Sequence, residues 1–331
     1  MSSLGFSKTR FFISVQQKGD KINQILLIFL LFPFITQFSF LHILVAKGGL
    51  GMERSEPFAV IGGDQRMEYL ARFLSREHPV LRWHKEQSFA ALEDVVALGK
   101  HLLFPMPFSR DGIHLSGAEK SECTIDKLLP LLGHGHKTLF GGQLPASIRK
   151  ECEALGISCC DWMEMEDVSL PNAVLTAEGA IGEAILHTNR TLSASKCMIL
   201  GWGRCAQARA RKLRYLVNDI TVAARNPYQR LSAKCEGFSV LPPELLYEHL
   251  PEYDLLFNTI PAMILPGKLA RRLSQHCVLL DLASGPLTAH IALQDFSGLA
   301  VSCPGLPGKY FSRDAGEILA KAALSRICTS G

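Results

Sequence analysis

CMILGWGRCA, residues 197–206, joins a short apolar run to a glycine turn and then to the first residues of a helical pattern. The turn matches G-x-G-x-x-G/A: Gly201 permits a tight turn, Gly203 lets the backbone approach a pyrophosphate, and Ala206 lets the helix pack closely on the strand. The amides at the start of the helix then face the phosphates, where the helix dipole favours negative charge. The sequence predicts a dinucleotide-binding turn, although a tight strand-to-helix turn without a ligand has the same pattern. The predicted cofactor contacts in this turn are Gly201, Trp202, Gly203, Arg204, Cys205 and Ala206.

The strand predicted at residues 218–224 follows one helix length later and leads into Arg225 and Asn226. A unit that prefers NAD places Asp or Glu at this point, about 20 residues after the turn, to bind the ribose 2′-hydroxyl. Asp219 lies at the other end of the strand. Arg225 can instead pair with a 2′-phosphate through two parallel hydrogen bonds, and Asn226 can donate another. The pattern therefore predicts NADP as the cofactor, with an arginine that merely caps a solvent loop as the alternative.

The chain has 331 residues, of which 47% are hydrophobic and 20% charged, enough for two α/β domains with their own cores. The net charge is +4, but residues 1–51 hold five Lys or Arg side chains and one acidic side chain, so the rest is neutral overall. A neutral remainder argues against nucleic-acid binding. All ten cysteines follow residue 51 without C-x-x-C spacing, which predicts reduced thiols in a cytoplasmic protein and no metal site.

Residues 22–46 contain no Lys, Arg, Asp or Glu and are long enough to span a bilayer. Basic residues precede them, so one interpretation is a membrane anchor or an uncleaved signal. The other is an over-extended reading frame with a native start at Met52, because eight of the 18 phenylalanines fall in residues 1–51. We favour the second interpretation and expect membrane contact only if residues 1–51 belong to the protein.

Apolar runs of strand length alternate with helical patterns in both halves of the remaining chain, which predicts parallel sheets covered on both faces by helices. The predicted fold class is α/β with two doubly wound domains. A flavodoxin-like N-terminal domain is expected at residues 52–170 and a Rossmann NAD(P)-binding domain at residues 171–312. Residues 313–331 are expected to form a C-terminal helix that packs back across the domains.

Polar residues follow several predicted strands of the second half. Ligands of open parallel sheets bind beyond the carboxyl ends of the strands. Asn258 and Thr259 end one predicted strand, and Asp281 lies at the end of the next. We assign these three residues to the cofactor and expect residues 281–285 and 304–308 to border the same crevice.

Six motifs, in order and at family-like spacing, are similar to those of one enzyme family. They are IGGDQR at 61–66, LTAEGAIGEAILHT at 175–188, ILGWGR at 199–204, NTIPAMIL at 258–265, LDLAS at 280–284 and PGLPGKY at 304–310. Over nearly all of residues 56–328 the chain resembles the A subunit of dipicolinate synthase, a sporulation enzyme of endospore-forming Firmicutes. The resemblance implies a two-domain architecture like that of 2-hydroxyacid dehydrogenases and S-adenosylhomocysteine hydrolase.

The resemblance also implies a reaction and a partner. The reaction is NADP-dependent oxidation of the dihydrodipicolinate-type intermediate of lysine biosynthesis to dipicolinate, in the cytoplasm of the mother cell, and the partner is the flavoprotein-like B subunit of dipicolinate synthase. This chain departs from the family after LDLAS, where Arg-Pro-Gly-Gly and an acidic residue usually follow and residues 285–290 read GPLTAH. The missing arginine argues against binding of a substrate carboxylate by this loop.

The implied substrate is a small dicarboxylate that loses a hydride from a ring carbon and a proton from a neighbouring atom. Its site needs cationic or hydroxyl donors, a proton acceptor and a nicotinamide held against the ring. Arg66, beside Gly62 and Gly63, is the first candidate for a bidentate carboxylate clamp, with an ordinary surface arginine as the alternative. Ser109 and Arg110, just after a predicted strand, are further candidates for substrate binding.

A helix predicted at residues 176–187 supplies the remaining candidates. Thr176 and Glu178 would open this helix at the domain boundary, with Thr176 as a substrate contact and Glu178 as a catalytic residue. An acidic residue in a first helical turn is equally explained by the helix dipole. His187 is the second catalytic candidate because histidine can exchange protons near neutrality, although a structural histidine is commoner.

Two other functions remain open from the sequence. A 2-hydroxyacid or alanine-type dehydrogenase would explain the glycine turn but not the other motifs. A regulatory or scaffolding subunit that retains the nucleotide fold would explain the departure at residues 285–290.

Overall fold

The computed structural model describes residues 56–84, 91–118, 123–133 and 136–328. The charge-free stretch at residues 22–46, and with it both interpretations of that stretch, lies outside these ranges. None of the helices within the described ranges is long and apolar enough to cross a membrane.

The strands of the described ranges form two parallel sheets. The first contains β1 (Phe58–Ile61), β2 (Val80–Trp83), β3 (His101–Leu103), β4 (Thr138–Gly141) and β5 (Ser158–Asp161). The second contains β6 (Lys196–Leu200), β7 (Asp219–Ala223), β8 (Ser239–Leu241), β9 (Leu255–Asn258), β10 (Val278–Asp281) and β11 (Leu299–Ser302).

The helices of the described ranges connect and cover these strands. The α-helices are α1 (Gln65–Leu74), α2 (Leu92–Leu98), α3 (Ile125–Leu128), α4 (Ala146–Leu155), α5 (Glu166–His187), α6 (Arg204–Leu213), α7 (Pro227–Cys235), α8 (Leu246–His249), α9 (Gly267–Ala270), α10 (Leu306–Tyr310) and α11 (Ser312–Cys328). Short 3₁₀ helices lie at Leu129–Leu131, Leu192–Ala194, Pro243–Leu245, Leu250–Glu252, Leu287–Ala289 and Leu293–Asp295.

The strand orders confirm the predicted fold class. The first sheet has the order β2-β1-β3-β4-β5, which is the flavodoxin-like order. The second has the order β11-β10-β9-β6-β7-β8, which becomes 6-5-4-1-2-3 when its strands are counted from β6, the Rossmann order in reverse. The order changes direction between β6 and β9, and this switch point is where such sheets bind dinucleotides.

The burial of each strand explains whether the sequence pattern predicts it. Strands β1, β9 and β10 are buried along their whole length, as expected for parallel strands with helices on both faces. The edge strands β2 and β8 are more exposed and are not predicted by the sequence pattern. The strand predicted at residues 101–106 ends at Leu103, because Pro105 has no N–H with which to continue the ladder.

Helix α5 carries the chain from the first sheet to the second. It begins at Glu166 and runs through Pro171, so the domain boundary drawn after residue 170 and the helix start predicted at Thr176 both fall inside it. The structure corrects that start. Pro171 removes only one backbone hydrogen bond, and the flanking apolar side chains keep the helix packed.

Helix α11 returns to the first half. Its apolar residues Leu319 and Ala323 pack in one core with Leu70 and Leu74 of α1. A Cβ atom at Gly316 would lie 2.4 Å from the carbonyl oxygen of Arg66, so the two helices approach each other at a glycine. The C-terminal helix therefore completes the core of the first half.

Candidate functional site

The glycine turn after β6 is held by its neighbours in a conformation that requires glycine. Gly201 has a φ of +98°, in the left-handed region, and its N–H donates to the Ala223 carbonyl at 2.8 Å. A Cβ atom at Gly201 would lie 2.6 Å from Oγ1 of Thr259, which itself donates to the Leu200 carbonyl at 2.8 Å. Thr259 thus fixes the shape of the turn.

The second glycine of the turn leaves the start of α6 open. Gly203 is the N-cap of α6, with no side-chain hydrogen bond to the first helical amides. No atom outside its immediate neighbours lies within 4 Å of a Cβ built on Gly203. Ala206, one turn later, is fully buried against the sheet. The open N-terminus, with its unpaired amides and positive dipole end, fits a pyrophosphate.

The side chains of the turn contribute less than its backbone. Trp202 is buried, and its indole N–H donates to the hydroxyl of Ser232 at 3.2 Å. Arg204 donates to Glu166 and to Ser169 of α5, each at 2.9 Å. Cys205 is half-buried. Of the six predicted contacts, Gly203 therefore offers open backbone, whereas the Gly201 N–H and the side chains of Trp202 and Arg204 already bind protein groups.

The carboxyl end of β7 presents an exposed arginine. The side chain of Arg225 has no hydrogen bond or ion pair with another described residue. Asn226 caps α7, its side-chain oxygen accepting from the Tyr228 N–H at 2.8 Å. Arg230 donates to the Ala224 carbonyl at 2.7 Å and so stiffens the loop. The Arg225 guanidinium is free to bind an anion, and the Asn226 side chain already has a structural role.

Three buried polar side chains meet at the carboxyl ends of β9 and β10. Asn258 donates from Nδ2 to Oδ1 of Asp281 at 2.7 Å. Nδ1 of His290 lies 2.7 Å from Oδ2 of the same carboxylate. Asn258, Asp281 and His290 are 0%, 2% and 2% exposed. Asn258 and Asp281, predicted as cofactor contacts, bind each other, and Asp281 also binds His290.

His290 is the functional candidate that the sequence interpretation missed. It lies in the loop at residues 285–290, which was noted only for its departure from the family pattern. The eight residues between Asp281 and His290 contain no regular spacing that would reveal the contact. The available signal was a histidine at the carboxyl edge of a strand that ends in aspartate.

In the first half, Arg66 is already paired within the protein. It is 6% exposed and donates from Nε to Asp64 at 2.9 Å and from Nη2 to Asp64 at 2.8 Å. Nη2 also donates to the Met106 carbonyl at 2.5 Å. Burial raises the pKa of Asp64, but the hydrogen bonds and charge of Arg66 outweigh it and hold this pKa below its usual value. The Arg66 guanidinium therefore already binds Asp64, and its role as a carboxylate clamp stays a prediction that these contacts do not favour.

The loop after β3 leaves a different arginine accessible. Arg110 is exposed, has no hydrogen bond to another described residue, and lies close enough to Asp64 to lower its pKa further. The Ser109 hydroxyl lies 3.2 Å from Oδ1 of Asp111 and accepts from the Gly112 N–H at 2.9 Å. Of these two substrate candidates, Arg110 is free to bind a carboxylate, and Ser109 shapes the loop.

A small cavity of about 150 Å³ lies at the carboxyl ends of β1 and β2. Its polar lining includes Asp64, Gln65, Glu68, Arg82 and His84. Acidic and basic groups both face it, so its lining does not select an anion. The sequence interpretation missed this cavity because β2 was not predicted.

The α5 candidates do not lie at the glycine turn. Thr176 donates to the Asn172 carbonyl of its own helix at 2.8 Å. Glu178 pairs with Lys212 at 2.6 Å, in the last turn of α6 and about 12 Å along that helix from its first residue. His187 ends α5, about 27 Å along the helix from Ser169. Helix α5 begins at Glu166 and places both residues away from the glycine turn, so the structure does not support the catalytic roles predicted for Glu178 and His187, which stay predictions.

Glu183 explains the position of His187. It is buried and accepts from Lys309 at 2.5 Å and from the Tyr310 hydroxyl at 2.8 Å, and Nε2 of His187 lies 3.4 Å away. Burial raises the pKa of Glu183, but the bonds from Lys309 and Tyr310 hold it below its usual value. This cluster ties α10 to α5 and accounts for part of the PGLPGKY motif.

Comparison with known proteins identifies relatives of the chain. No protein-family model matches the sequence. The A subunit of dipicolinate synthase from Bacillus subtilis (strain 168) is 34% identical to this chain over 193 residues. The match covers 58% of this chain and 65% of the relative, so the chain spans slightly less than two thirds of the relative's length. A crystal structure of the dipicolinate synthase A chain from Bacillus subtilis matches with a TM-score of 0.69 and 25% identity, covering 84% of this chain and 97% of that chain. The chain is therefore similar in sequence and in fold to the dipicolinate synthase A subunit.

Two further structures show the same fold. The crystal structure of the dipicolinate synthase A subunit from Bacillus halodurans has a TM-score of 0.72 and 23% identity over 83% of this chain and 98% of that chain. A transhydrogenase from Sinorhizobium meliloti has a TM-score of 0.58 and 13% identity over 83% of this chain and 94% of that chain. The resemblance drawn from the six motifs is thereby confirmed.

Proposed function

We propose that the protein is an oxidoreductase subunit that oxidises a dihydrodipicolinate-type intermediate to dipicolinate with NADP. The observation that carries this proposal is the open N-terminus of α6 at Gly203, in a chain similar to the dipicolinate synthase A subunit. The open turn supports binding of a dinucleotide, and the similarity to dipicolinate synthase supports the identity of the substrate. The proposal needs both.

The residues present fit a dinucleotide at the switch point between β6 and β9. The backbone of Gly203 and the first amides of α6 would hold the pyrophosphate, and Gly201 would supply the tight turn that precedes them. The nicotinamide, when bound, supplies the hydride acceptor. Thr259 supports this arrangement indirectly, because its hydrogen bond to Leu200 keeps the turn in place.

NADP, in preference to NAD, is supported by the carboxyl end of β7. Arg225 is exposed and unpaired among the described residues, and no acidic side chain follows the strand at this point. A guanidinium binds a 2′-phosphate through two charge-assisted hydrogen bonds, whereas an NAD site needs a carboxylate here. Asn226 supports the loop as the cap of α7.

Arg110 is the substrate-binding residue that the contacts favour. A dicarboxylate requires unpaired cations, and Arg66 has its guanidinium bound to Asp64 and Met106. Arg110 lies beside the same Asp64 at the carboxyl edge of the first sheet, with its charge accessible. Gly308, after β11, lies against the Asp64 and Arg66 side chains, so the carboxyl edges of the two sheets share this region. We place the substrate in this region, where it would lie between Arg110 and the cofactor.

The partner and the setting belong to the same proposal and rest on the resemblance of the six motifs to the family. We infer that the chain acts with the flavoprotein-like B subunit during sporulation, in the mother cell. The product would be a pyridine dicarboxylate, a strong ligand for calcium through its hard oxygen donors.

The test is formation of dipicolinate by the purified chain, alone and with the B subunit from a relative. The reaction is followed by the absorbance of NADPH and of the pyridine ring, with NADP or NAD supplied. We expect both signals to rise together with NADP, and the Gly203→Asp chain to give neither. Pyridine formation without reduction of either nucleotide, or at the same rate with Gly203→Asp, would contradict the proposal.

A further inference from the structure

Asn258, Asp281 and His290 form a continuous hydrogen-bonded chain at the carboxyl edge of the second sheet. The carboxylate of Asp281 bonds Asn258 with one oxygen and His290 with the other, each at 2.7 Å. All three side chains are almost completely buried. A buried carboxylate with two such bonds fixes the orientation of the imidazole.

The direction of each hydrogen bond follows from the donors available. The Asn258 side-chain oxygen accepts from the Ile260 N–H at 3.0 Å, so its NH₂ group faces Asp281. The ionised Asp281 can only accept, so Nδ1 of His290 carries the hydrogen of their shared bond. Nε2 is then the basic nitrogen, with its lone pair directed away from Asp281.

Nε2 of His290 has no hydrogen-bond partner among the described residues. It faces Gly285, where a Cβ atom would lie 3.5 Å from it. Gly285 has a φ of +108°, a conformation that side-chain-bearing residues rarely adopt. The loop at residues 285–290 therefore turns at a glycine directly in front of the basic nitrogen.

His290 lies at the same edge of the second sheet as the glycine turn. Strands β6 and β9 are paired, with Leu200 opposite Asn258, so the chain of three side chains begins one strand away from the turn. Strands β9 to β11 form the second mononucleotide half of the sheet, which receives the nicotinamide end when the glycine turn holds the pyrophosphate. His290 thus lies on the side of the sheet where hydride transfer would occur.

We propose that Nε2 of His290 accepts the proton that the substrate loses during oxidation; this role rests on the proposed function. A ring C–H bond of the substrate breaks and its electron pair leaves with the hydride for the nicotinamide. The proton on a neighbouring ring atom moves to Nε2, and the remaining pair completes the aromatic ring. Asp281 stabilises the resulting imidazolium, Asn258 positions Asp281, and the imidazolium returns the proton to water.

The first arm of the test measures turnover. His290→Ala and His290→Gln are compared with wild type and with His276→Ala, which removes an exposed histidine of the same half. We expect kcat to fall at least about 100-fold in both His290 variants, with the Kd of NADPH changed less than about threefold. Added imidazole should restore part of the activity that His290→Ala has lost. It should leave the activity of His276→Ala unchanged. A His290 variant that binds NADPH normally and keeps wild-type kcat would overturn the proposal.

The second arm does not depend on activity. Nitrogen NMR of histidine-labelled protein reports the tautomer of each imidazole. We expect His290 to carry its proton on Nδ1 in wild type and to lose this preference in Asp281→Asn, where an amide replaces the carboxylate. A wild-type His290 with its proton on Nε2 would overturn the proposal. A wild type with the expected tautomer that fails to reduce either nucleotide would instead overturn the proposed function, and the proton-transfer role with it.

Discussion

The two halves of the molecule contain similar strand–glycine–helix turns, yet only one is open. After β1, Asp64 caps α1 by accepting from the Arg66 N–H at 3.0 Å, and Gly117 lies so close that a Cβ on it would come within 2.2 Å of the Gly63 carbonyl. After β6, Gly203 caps α6 with no side-chain bond and with open space around it. A glycine turn thus becomes an anion site only where the protein leaves the first helical amides unpaired.

The two turns also differ in the charged side chains beside them. In the first half the Arg66 guanidinium meets Asp64, so the turn is neutralised internally. In the second half Arg225 is exposed and unpaired among the described residues. The second half therefore has an unpaired cation available to the phosphates of a nucleotide. The corresponding cation of the first half is already in an ion pair.

Removing Arg66 should have the largest effect, and the effect should be on stability. Arg66→Ala breaks the hydrogen bonds of the guanidinium to Asp64 and to Met106 and leaves Asp64 without its partner, so we expect a loss of about 2–4 kcal/mol in the free energy of unfolding. Chemical denaturation measures it, with the exposed Arg72→Ala as the control, expected to lose less than about 1 kcal/mol. If Arg66→Ala were as stable as wild type but bound substrate poorly, Arg66 would be the carboxylate clamp after all.

Closing the open turn should abolish nucleotide binding. Gly203→Asp places a carboxylate where the pyrophosphate would lie, and we expect the Kd of NADPH to rise at least about 100-fold, or about 2.7 kcal/mol. Stability should be equal or slightly higher, because aspartate is a good N-cap and favours the helix dipole. Gly182→Asp is the matched control, since Gly182 also has open space around it but lies within α5. Equal loss of affinity in both variants would contradict the assignment of the turn.

Reversing the charge at the end of β7 should change the nucleotide preference. Arg225→Asp repels a 2′-phosphate and can accept from a 2′-hydroxyl, so we expect NADPH to bind about 10–100-fold more weakly and NADH more tightly. Lys234→Asp, the same reversal near the end of α7, is the control and should leave the ratio unchanged. Tighter binding of NADH than NADPH by wild type would contradict the NADP assignment.

The Asp64–Arg66 pair should make the first half sensitive to acid. Because the pKa of Asp64 is lowered in the folded state, its contribution is present above the unfolded pKa of about 3.9 and is lost as pH falls through the lower folded value. The difference in unfolding free energy between wild type and Asp64→Asn should therefore shrink as the pH falls from about 5 to about 3. A difference that does not change with pH would mean that the ion pair contributes nothing.

Glu178 should matter least. Its partner Lys212 is partly exposed, so Glu178→Gln should cost less than about 1 kcal/mol of stability and leave kcat unchanged. Arg190→Gln, which breaks another partly exposed ion pair, is the control for stability. A large loss of kcat in Glu178→Gln at normal stability would restore its catalytic role.

Local patterns in the sequence predicted the features that depend on local chemistry. The alternation of strands and helices gave the fold class, and the spacing of Gly201, Gly203 and Ala206 identified the turn. The exposed Arg225 at the end of β7 was also accessible to this reasoning, because the end of a strand is a local property.

Features that depend on distant partners were not predictable in this way. The bond from Arg66 to Met106 joins residues 40 positions apart and is set by how the β3 loop folds over α1. Glu178 was assigned to a first helical turn because the sequence pattern placed the helix start at Thr176, ten residues after its start at Glu166. His290 was missed because its contact with Asp281 forms across an irregular loop.

The most direct test of the contrast between the two turns is a crystal structure of the protein grown with NADP. We predict density for the pyrophosphate against the backbone amides of Gly203 and the start of α6, with the 2′-phosphate on Arg225. The turn at Asp64 should keep its ion pair with Arg66 and bind no phosphate. A nucleotide seated at Asp64, or an empty α6 terminus at saturating NADP, would contradict the assignment of the open turn as the cofactor site.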